Sequence, residues 1–464
     1  MVLTALVGAA NFKRANPRSD TFTSNRGFHH IEFWCADATA VAYRFCAGLG
    51  MTQREISDTS TDNRTYASRA CVAGNLKMVF SAPYGSGGWT TAGKVAKRAK
   101  REGGEKEAVP YHEVAGDATN MHEFVRRHGT AVRAVCIEVE DAQAAFDAFV
   151  KGVDDKAVVE KSREGAVVTP LDGTRAVVLP PTRVSDERGE ATVAEVKLYG
   201  DVVLRFLSSP GGCGAWTCVP GYRVTPLPVS PRKPVVVRAD HIVGNVFDLL
   251  AQANYLMKGT GFHEFAEFTA EDVGTVDSGL NSLVLANNEE NVLLPINEPT
   301  YGTKRKSQIL TYLEQNEGCG VQHIALSTPD IISAVIAMRE SGSFEFLEPP
   351  DAKHYYGVDM PSRLKKYANS DPSLQLSEKL IADCERLGIL IDRDDRGILL
   401  QIFTRPVSDR STLFLEVIQR IGCMHFDASV KAEVQTPGCG GFGKGNFKAL
   451  FASVEKHESA MRVA

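Results

Sequence analysis

The sequence predicts an α+β protein made of four βαβββ-like units, arranged as two related halves. Three internal repeats carry this reading. FHHIEFWCADATAVAYRFCAGLGM, a strand, turn, helix and glycine stop, returns as ADHIVGNVFDLLAQANYLMKGTGF. VRAVCIEVEDAQAAFDAFV returns as GVQHIALSTPDIISAVIAM, and KLYGDVVLRFLS has its counterpart in GILLQIFTRPVSDRSTLFLEVIQR. Self-similarity on this scale is architectural evidence that composition cannot supply. A chain of 464 residues has room for two domains, expected at 23–210 and 236–464.

In the first half, Ala38, Val41, Ala42 and Phe45 recur at helical spacing after the Asp37 turn, and Gly48–Leu49–Gly50 ends the pattern. Strands are expected at Thr65–Val72 and Leu76–Ala82. Residues 84–118 include KVAKRAKREGGEKE, whose mixed charges and few aromatics read as a solvated insertion. A second strand and helix begin at Val132, and strands Val158–Thr169 and Glu195–Ser208 close the half. The stretch 209–236 is dense in Pro and Gly and reads as a linker or a crossing segment.

The second half ends in a hairpin at 397–423, turning through Arg405–Ser411. Alternation places Leu399, Gln401 and Phe403 on one face and Leu400 and Ile402 on the other. On the return strand Phe414, Glu416 and Ile418 lie opposite Leu415 and Val417. A glutamate inside LFLEVI either faces water on an edge strand or must meet a cation or several hydrogen bonds.

Composition narrows the function classes. Hydrophobic content of 43% and charged content of 23% describe an ordinary globular protein. A net charge of −5 gives no support for nucleic-acid or anionic-membrane partners. No apolar run approaches the roughly 18 residues of a membrane span. MVLTALVGAA lacks a preceding basic segment, so no secretory signal is expected. The ten cysteines form no CxxC pair, and Cys213 with Cys218 has no second pair for zinc. They read as reduced thiols of a cytoplasmic protein.

Aligning the halves places His241 on His30, His323 on Cys136 and Glu416 on Arg205. One strand histidine is more often a core residue than a ligand. Two histidines and a glutamate at repeated positions instead form the set that binds one face of a non-haem Fe(II) ion, leaving positions open opposite. Arg205 would repel a cation, so the first half, His29–His30 included, is expected to hold no metal.

At these residues the sequence resembles the plant-type 4-hydroxyphenylpyruvate dioxygenase family. The resemblance runs through RGFHHIEFWCADAT, AEVKLYGDVVLRF, HEFAEFTAEDVGT, VLLPINEP, GTKRKSQI, GVQHIAL, DRDDRGILLQIFTRP, FLEVIQRIGC and GCGGFGKGNF. It implies a vicinal-oxygen-chelate fold of two open barrel-like domains. It also implies Fe(II) on His241, His323 and Glu416, and conversion of 4-hydroxyphenylpyruvate and O2 to homogentisate and CO2 in tyrosine catabolism. Ser282, Pro295, Asn297, Gln308, Gln401, Phe403, Phe442 and Phe447 are the substrate contacts it implies, and a homodimer the assembly. No catalytic residue beyond the metal ligands is expected. 4-Hydroxymandelate synthase and a metal-free binding protein of the same fold are the rival readings.

Beyond Gly445, Asn446 is placed as a helix N-cap, with Phe447, Leu450, Phe451 and Val454 forming one stripe. A helix behind a Gly-rich hinge suits a lid. Residues 88–118 and 343–377 depart from the family pattern and read as surface variation.

Overall fold

In the computed structural model, residues 3–17, 27–85, 108–115, 118–153, 176–225, 233–273, 279–347, 349, 351–367, 374–427 and 432–461 are described. The chain divides into two compact units. One comprises Ser19–Lys233 and Tyr255–Gly261; the other comprises Met1–Arg18, Pro234–Asn254 and Phe262–Ala464.

The first unit contains β1 (Gly27–Trp34), α1 (Ala38–Leu49), β2 (Thr52–Ser57), β3 (Tyr66–Ala73) and β4 (Leu76–Pro83). It continues with α2 (Ala118–His128), β5 (Ala131–Glu138), α3 (Ala142–Val153), β6 (Val177–Asp186), β7 (Gly189–Tyr199), β8 (Val202–Ser208) and β9 (Arg223–Val224). Asp37 caps α1 by accepting from the Ala40 N–H, and Gly50 ends the helix at a φ of 65°. That left-handed turn is cheap only for glycine. The expected strand at Val158–Thr169 falls outside the described residues. The stretch Glu195–Ser208 is not one strand: it breaks between β7 and β8 at Gly200, whose φ is 52°.

The second unit repeats this order with β10 (Arg238–Asn245), the start of α4 (Leu249–Thr260, whose residues from Tyr255 belong to the first unit), β11 (His263–Phe268), β12 (Leu280–Ala286) and β13 (Leu293–Pro299). After α5 (Gln308–Gln315) come β14 (Gly320–Ser327), α6 (Ile331–Ser341), α7 (Glu378–Leu387), β15 (Leu390–Arg393), β16 (Gly397–Phe403) and β17 (Phe414–Gly422). A small pair, β18 (Met424–Asp427) and β19 (Ala432–Gln435), precedes the final helix α8 (Phe447–Met461). The strand orders are β6-β7-β8-β5-β1-β4-β3-β2-β9 and β11-β12-β13-β10-β14-β17-β16-β15. Read from opposite ends, they are the same topology with β9 added to the first. Both sheets mix parallel central pairs, β1 with β4 and β10 with β13, with antiparallel neighbours.

Strand register corrects the alignment of the halves. His30 pairs with Cys136, and Cys136 with Arg205. His241 pairs with Ala325, and Ala325 with Glu416. Cys136 therefore corresponds to Ala325, and the counterpart of His323 is Ala134, two residues earlier. A slip of two keeps every side chain on its face, so periodicity alone could not reveal it.

Two further expectations are corrected, one in each unit. Residues 209–225 are not a linker. Cys213, Trp216, Cys218, Val219 and Tyr222 are buried against Val184, Val193 and Leu207, and β9 pairs with β2. The prolines and glycines there shape turns between buried side chains. Nor are all ten cysteines free, because Cys423 and Cys439 are joined in a disulfide. Strand β17 ends next to the Gly-rich loop, which brings together two residues that sequence spacing does not relate.

The centre of the first sheet is held by Arg205, only 2% exposed. Its guanidinium donates to Glu195 at 2.7 Å, Glu32 at 2.6 Å and the Tyr111 hydroxyl at 2.8 Å, and lies 2.8 Å from His30 Nε2. His29, His30 and Cys136 also bring ligand atoms within 4.8 Å of one another. However, His30 faces Arg205, and His29 Nε2 lies 2.9 Å from the Lys77 ammonium. Burial, then these cations, holds both imidazoles below their ordinary pKa. Removing one member of a buried ion network leaves the others uncompensated, at a cost of about 3–5 kcal/mol. Arg205→Ala should therefore lower unfolding stability by that amount in urea titration, whereas a loss within about 0.5 kcal/mol, the usual range for surface substitutions, would mean that Glu32 and Glu195 find other partners.

Candidate metal centre and the cavity around it

Glu416 is not on an edge. Strand β17 lies between β14 and β16, and its carboxylate is 3% exposed. Its Oε2 lies 3.2 Å from His241 Nε2 and 3.4 Å from His323 Nε2. The three ligand atoms fall within 4.8 Å of one another.

Each histidine is turned by the residue before it. His241 Nδ1 lies 3.0 Å from Asp240 Oδ1, and His323 Nδ1 lies 3.0 Å from Gln322 Oε1. Both acceptors sit at register shifts in the β10–β14 pairing, where Asp240 and Gln322 have no cross-strand partner. A bulge of this kind re-aims a side chain. Each Nδ1 is thus the donor, so in the neutral rings each Nε2 keeps its lone pair on the side of Glu416, the tautomer a metal ligand requires, whereas a protonated ring donates to the carboxylate from that same nitrogen.

Electrostatics separate the two rings. Burial opposes charge on both, but Asp240 and Glu416 together raise the His241 pKa, whereas His323, beside a neutral amide, ends lowered. Burial also works against the Glu416 carboxylate, yet hydrogen bonding to His241 and His323 holds it down to about 2. Asp240 is buried too and is kept well below the usual carboxylate range by Arg420. Two lone pairs and one anion converging on a point fit a divalent ion with three protein ligands.

A cavity opens from this cluster. Its lining includes His241, His323 and Glu416 with Ser282, Pro295, Asn297, Gln308, Gln401, Phe403, Phe442 and Phe447, all eleven residues singled out from the sequence. Asn297 donates toward Asn245 at 3.2 Å and toward Gln322 at 3.3 Å. Gln401 Oε1 is buried without a hydrogen-bond partner among the described residues. An added Cβ on Gly443 would fall 2.2 Å from it, so only glycine leaves that amide its place. A buried acceptor left unpaired is costly, so a donor group entering the cavity there would relieve it.

The aromatic walls pack on the cluster itself. Phe414 stacks on His323 at 4.9 Å, Phe442 meets His241 edge-on at 5.3 Å, and Phe268 packs on Phe447 at 5.6 Å. Helix α8 turns Phe447, Leu450 and Phe451 into the cavity. Asn446 does not cap it: its side-chain oxygen accepts from the Tyr355 hydroxyl at 2.6 Å and from Arg363 at 3.0 Å. The same helix buries Glu455 and Glu458, and desolvation pushes Glu458 up to about 8.

Sequence reasoning missed several residues. Phe414 could have been found, since it shares a strand face with Glu416. Gln322 could not, because alternation points it away from the side that His323 faces and only the bulge returns it. Tyr355 and Arg363 lie in 343–377, read as surface variation, yet they brace the loop before α8.

Comparison with known proteins decides the family. The chain is 47% identical to 4-hydroxyphenylpyruvate dioxygenase of Daucus carota, over 98% of this chain and 92% of that one. It is 46% identical to the Arabidopsis thaliana enzyme of that name, over 98% and 93%. The chain belongs to the 4-hydroxyphenylpyruvate dioxygenase family. The Danio rerio enzyme is 34% identical over 93% of this chain and 91% of its own. No family model matches the sequence. Among solved structures, a mutant of 4-hydroxymandelate synthase from Streptomyces coelicolor shares the fold, with a TM-score of 0.66 at 20% identity over 94% of this chain and all of that one. This places the dioxygenase family's chain in the vicinal-oxygen-chelate fold.

Glu416→Gln preserves shape but removes the anion, so metal bound per chain should fall at least tenfold by elemental analysis, in the range typical of lost ligand-shell interactions. His30→Ala, in the other unit, should leave it unchanged. Equal losses in both variants would place the ion elsewhere.

Proposed function

We propose that the chain converts 4-hydroxyphenylpyruvate and O2 to homogentisate and CO2, with Fe(II) held by His241, His323 and Glu416. The observation that carries this reading is the convergence of two oriented imidazoles and one ionised carboxylate at the floor of an aromatic cavity, in a chain of this family. Bound there, Fe(II) would supply the redox and Lewis-acid chemistry for oxidative decarboxylation, ring hydroxylation and side-chain migration.

The side chains of the cavity do the rest. His241 and His323 present Nε2 because Asp240 and Gln322 hold the other nitrogen. Gln401 offers its unpartnered oxygen to a donor, the natural match for a phenol hydroxyl. Asn297, Gln308 and Ser282 add amide and hydroxyl groups for the polar ends of the substrate. Phe403, Phe442 and Phe447 supply the apolar faces against which an aryl ring can be fixed. Positioning the ring carbon and excluding water is the main task of this lining. The homodimer implied by the resemblance, and the cytoplasmic location read from the cysteine pattern, belong to the same reading.

The direct test is mass spectrometry of products formed from 4-hydroxyphenylpyruvate with Fe(II) and ascorbate. Homogentisate is expected as the main product; 4-hydroxymandelate instead would assign the chain to the sibling reaction. Gln401→Leu should weaken substrate binding roughly fivefold to tenfold, the equivalent of about 1 kcal/mol. Phe403→Ile should depress homogentisate formation more than CO2 release, diverting part of the product to the benzylic alcohol. Homogentisate formed one-to-one with CO2 in that variant would mean that Phe403 does not place the ring.

A further inference from the structure

Arg420 is buried on β17, four residues beyond Glu416, and its guanidinium faces two ways. On one side Nη2 donates to Asp240 Oδ1 at 2.7 Å, the oxygen that also receives His241 Nδ1, and Nε lies 3.2 Å from Asp240 Oδ2. On the other side Nη1 donates to the backbone carbonyls of Cys439 at 2.5 Å and Gly441 at 2.7 Å. Those carbonyls belong to the Gly-rich loop that carries Phe442 and leads into α8. Phe442 in turn rests on the His241 ring and lies 5.8 Å from the guanidinium carbon. An unbroken chain of short hydrogen bonds thus runs from a ligand imidazole, through one carboxylate and one guanidinium, to the hinge of the cavity wall.

We propose that Arg420 is a positioning residue that couples metal occupancy at His241 to the placement of the Gly438–Gly445 loop. Fixing His241 on an ion fixes Asp240, and through Arg420 the carbonyls of Cys439 and Gly441, so an ion in place holds the aromatic wall more firmly in the arrangement that these hydrogen bonds already define. Coupling of this kind is reciprocal: an ordered loop must strengthen metal binding as much as metal orders the loop. The planar fork matters, since one guanidinium must hold a carboxylate and two carbonyls at once, which an ammonium cannot reproduce. The proposal rests on the reading of His241 as a metal ligand.

The test uses the full-length chain and Co(II), which binds similar ligand sets without consuming O2. Hydrogen exchange of peptides covering the loop is measured with and without Co(II), together with Co(II) affinity. The wild type should show Co(II)-dependent protection of the loop. Arg420→Lys, and independently Asp240→Asn, should abolish that protection and weaken Co(II) binding roughly tenfold to a hundredfold. Arg363→Lys is the control for a purely structural brace. Arg363 holds the same loop at the Gly445 carbonyl, 2.7 Å away, but touches neither Asp240 nor His241. Its loss should raise loop exchange while leaving the metal-dependent change intact. Persistence of that change in Arg420→Lys, or unaltered Co(II) affinity, overturns the coupling. Co(II) binding that survives Glu416→Gln in the wild-type background overturns instead the metal reading beneath it.

Discussion

Everything at the centre of the second unit answers to one buried charge. A carboxylate in an apolar strand is stable only if its surroundings supply positive charge or donors. Glu416 meets two imidazoles at 3.2 and 3.4 Å, and those rings are themselves turned by Asp240 and Gln322. Asp240 is a second buried anion, answered by Arg420, and Arg420 finds its remaining acceptors in the loop at 439–441. Each group therefore owes its orientation to satisfying the one before it.

The first unit solves the same problem with the signs exchanged. Where the second sheet has Glu416 beside Phe403, the first has Arg205 beside Glu195. Where the second has His323, register places Ala134. A fixed guanidinium, supplied by the chain, occupies the junction and is balanced by Glu32 and Glu195. That half carries a fixed cation of its own at this junction.

Much of this was legible in the sequence because both periodicity and repetition survive in it. The strand faces holding Gln401, Phe403 and Glu416 followed from simple alternation, and all three line the cavity. What alternation cannot see is a bulge or a slip of two. The bulge hid Gln322, and the slip paired His323 with Cys136 instead of Ala134. Pro and Gly density misled at 209–225, since it marks turns but is silent on whether the residues between them, Trp216 and Tyr222 among them, are buried. The Cys423–Cys439 bridge depends on where a strand end meets a loop, which no local pattern encodes.

The inner face of α8 adds a link to the solvent. Burial raises the Glu458 carboxyl from an ordinary value of 4.5 to about 8, with Glu455 pushing the same way and Lys306 opposing. Between these two values the seated helix holds a proton that the same residue in water would surrender. An acid whose pKa is raised by burial favours the buried state at low pH and loses that advantage as pH climbs through the raised value. Moving the helix from its seat at neutral pH would therefore also release a proton, and alkaline solution would weaken its hold.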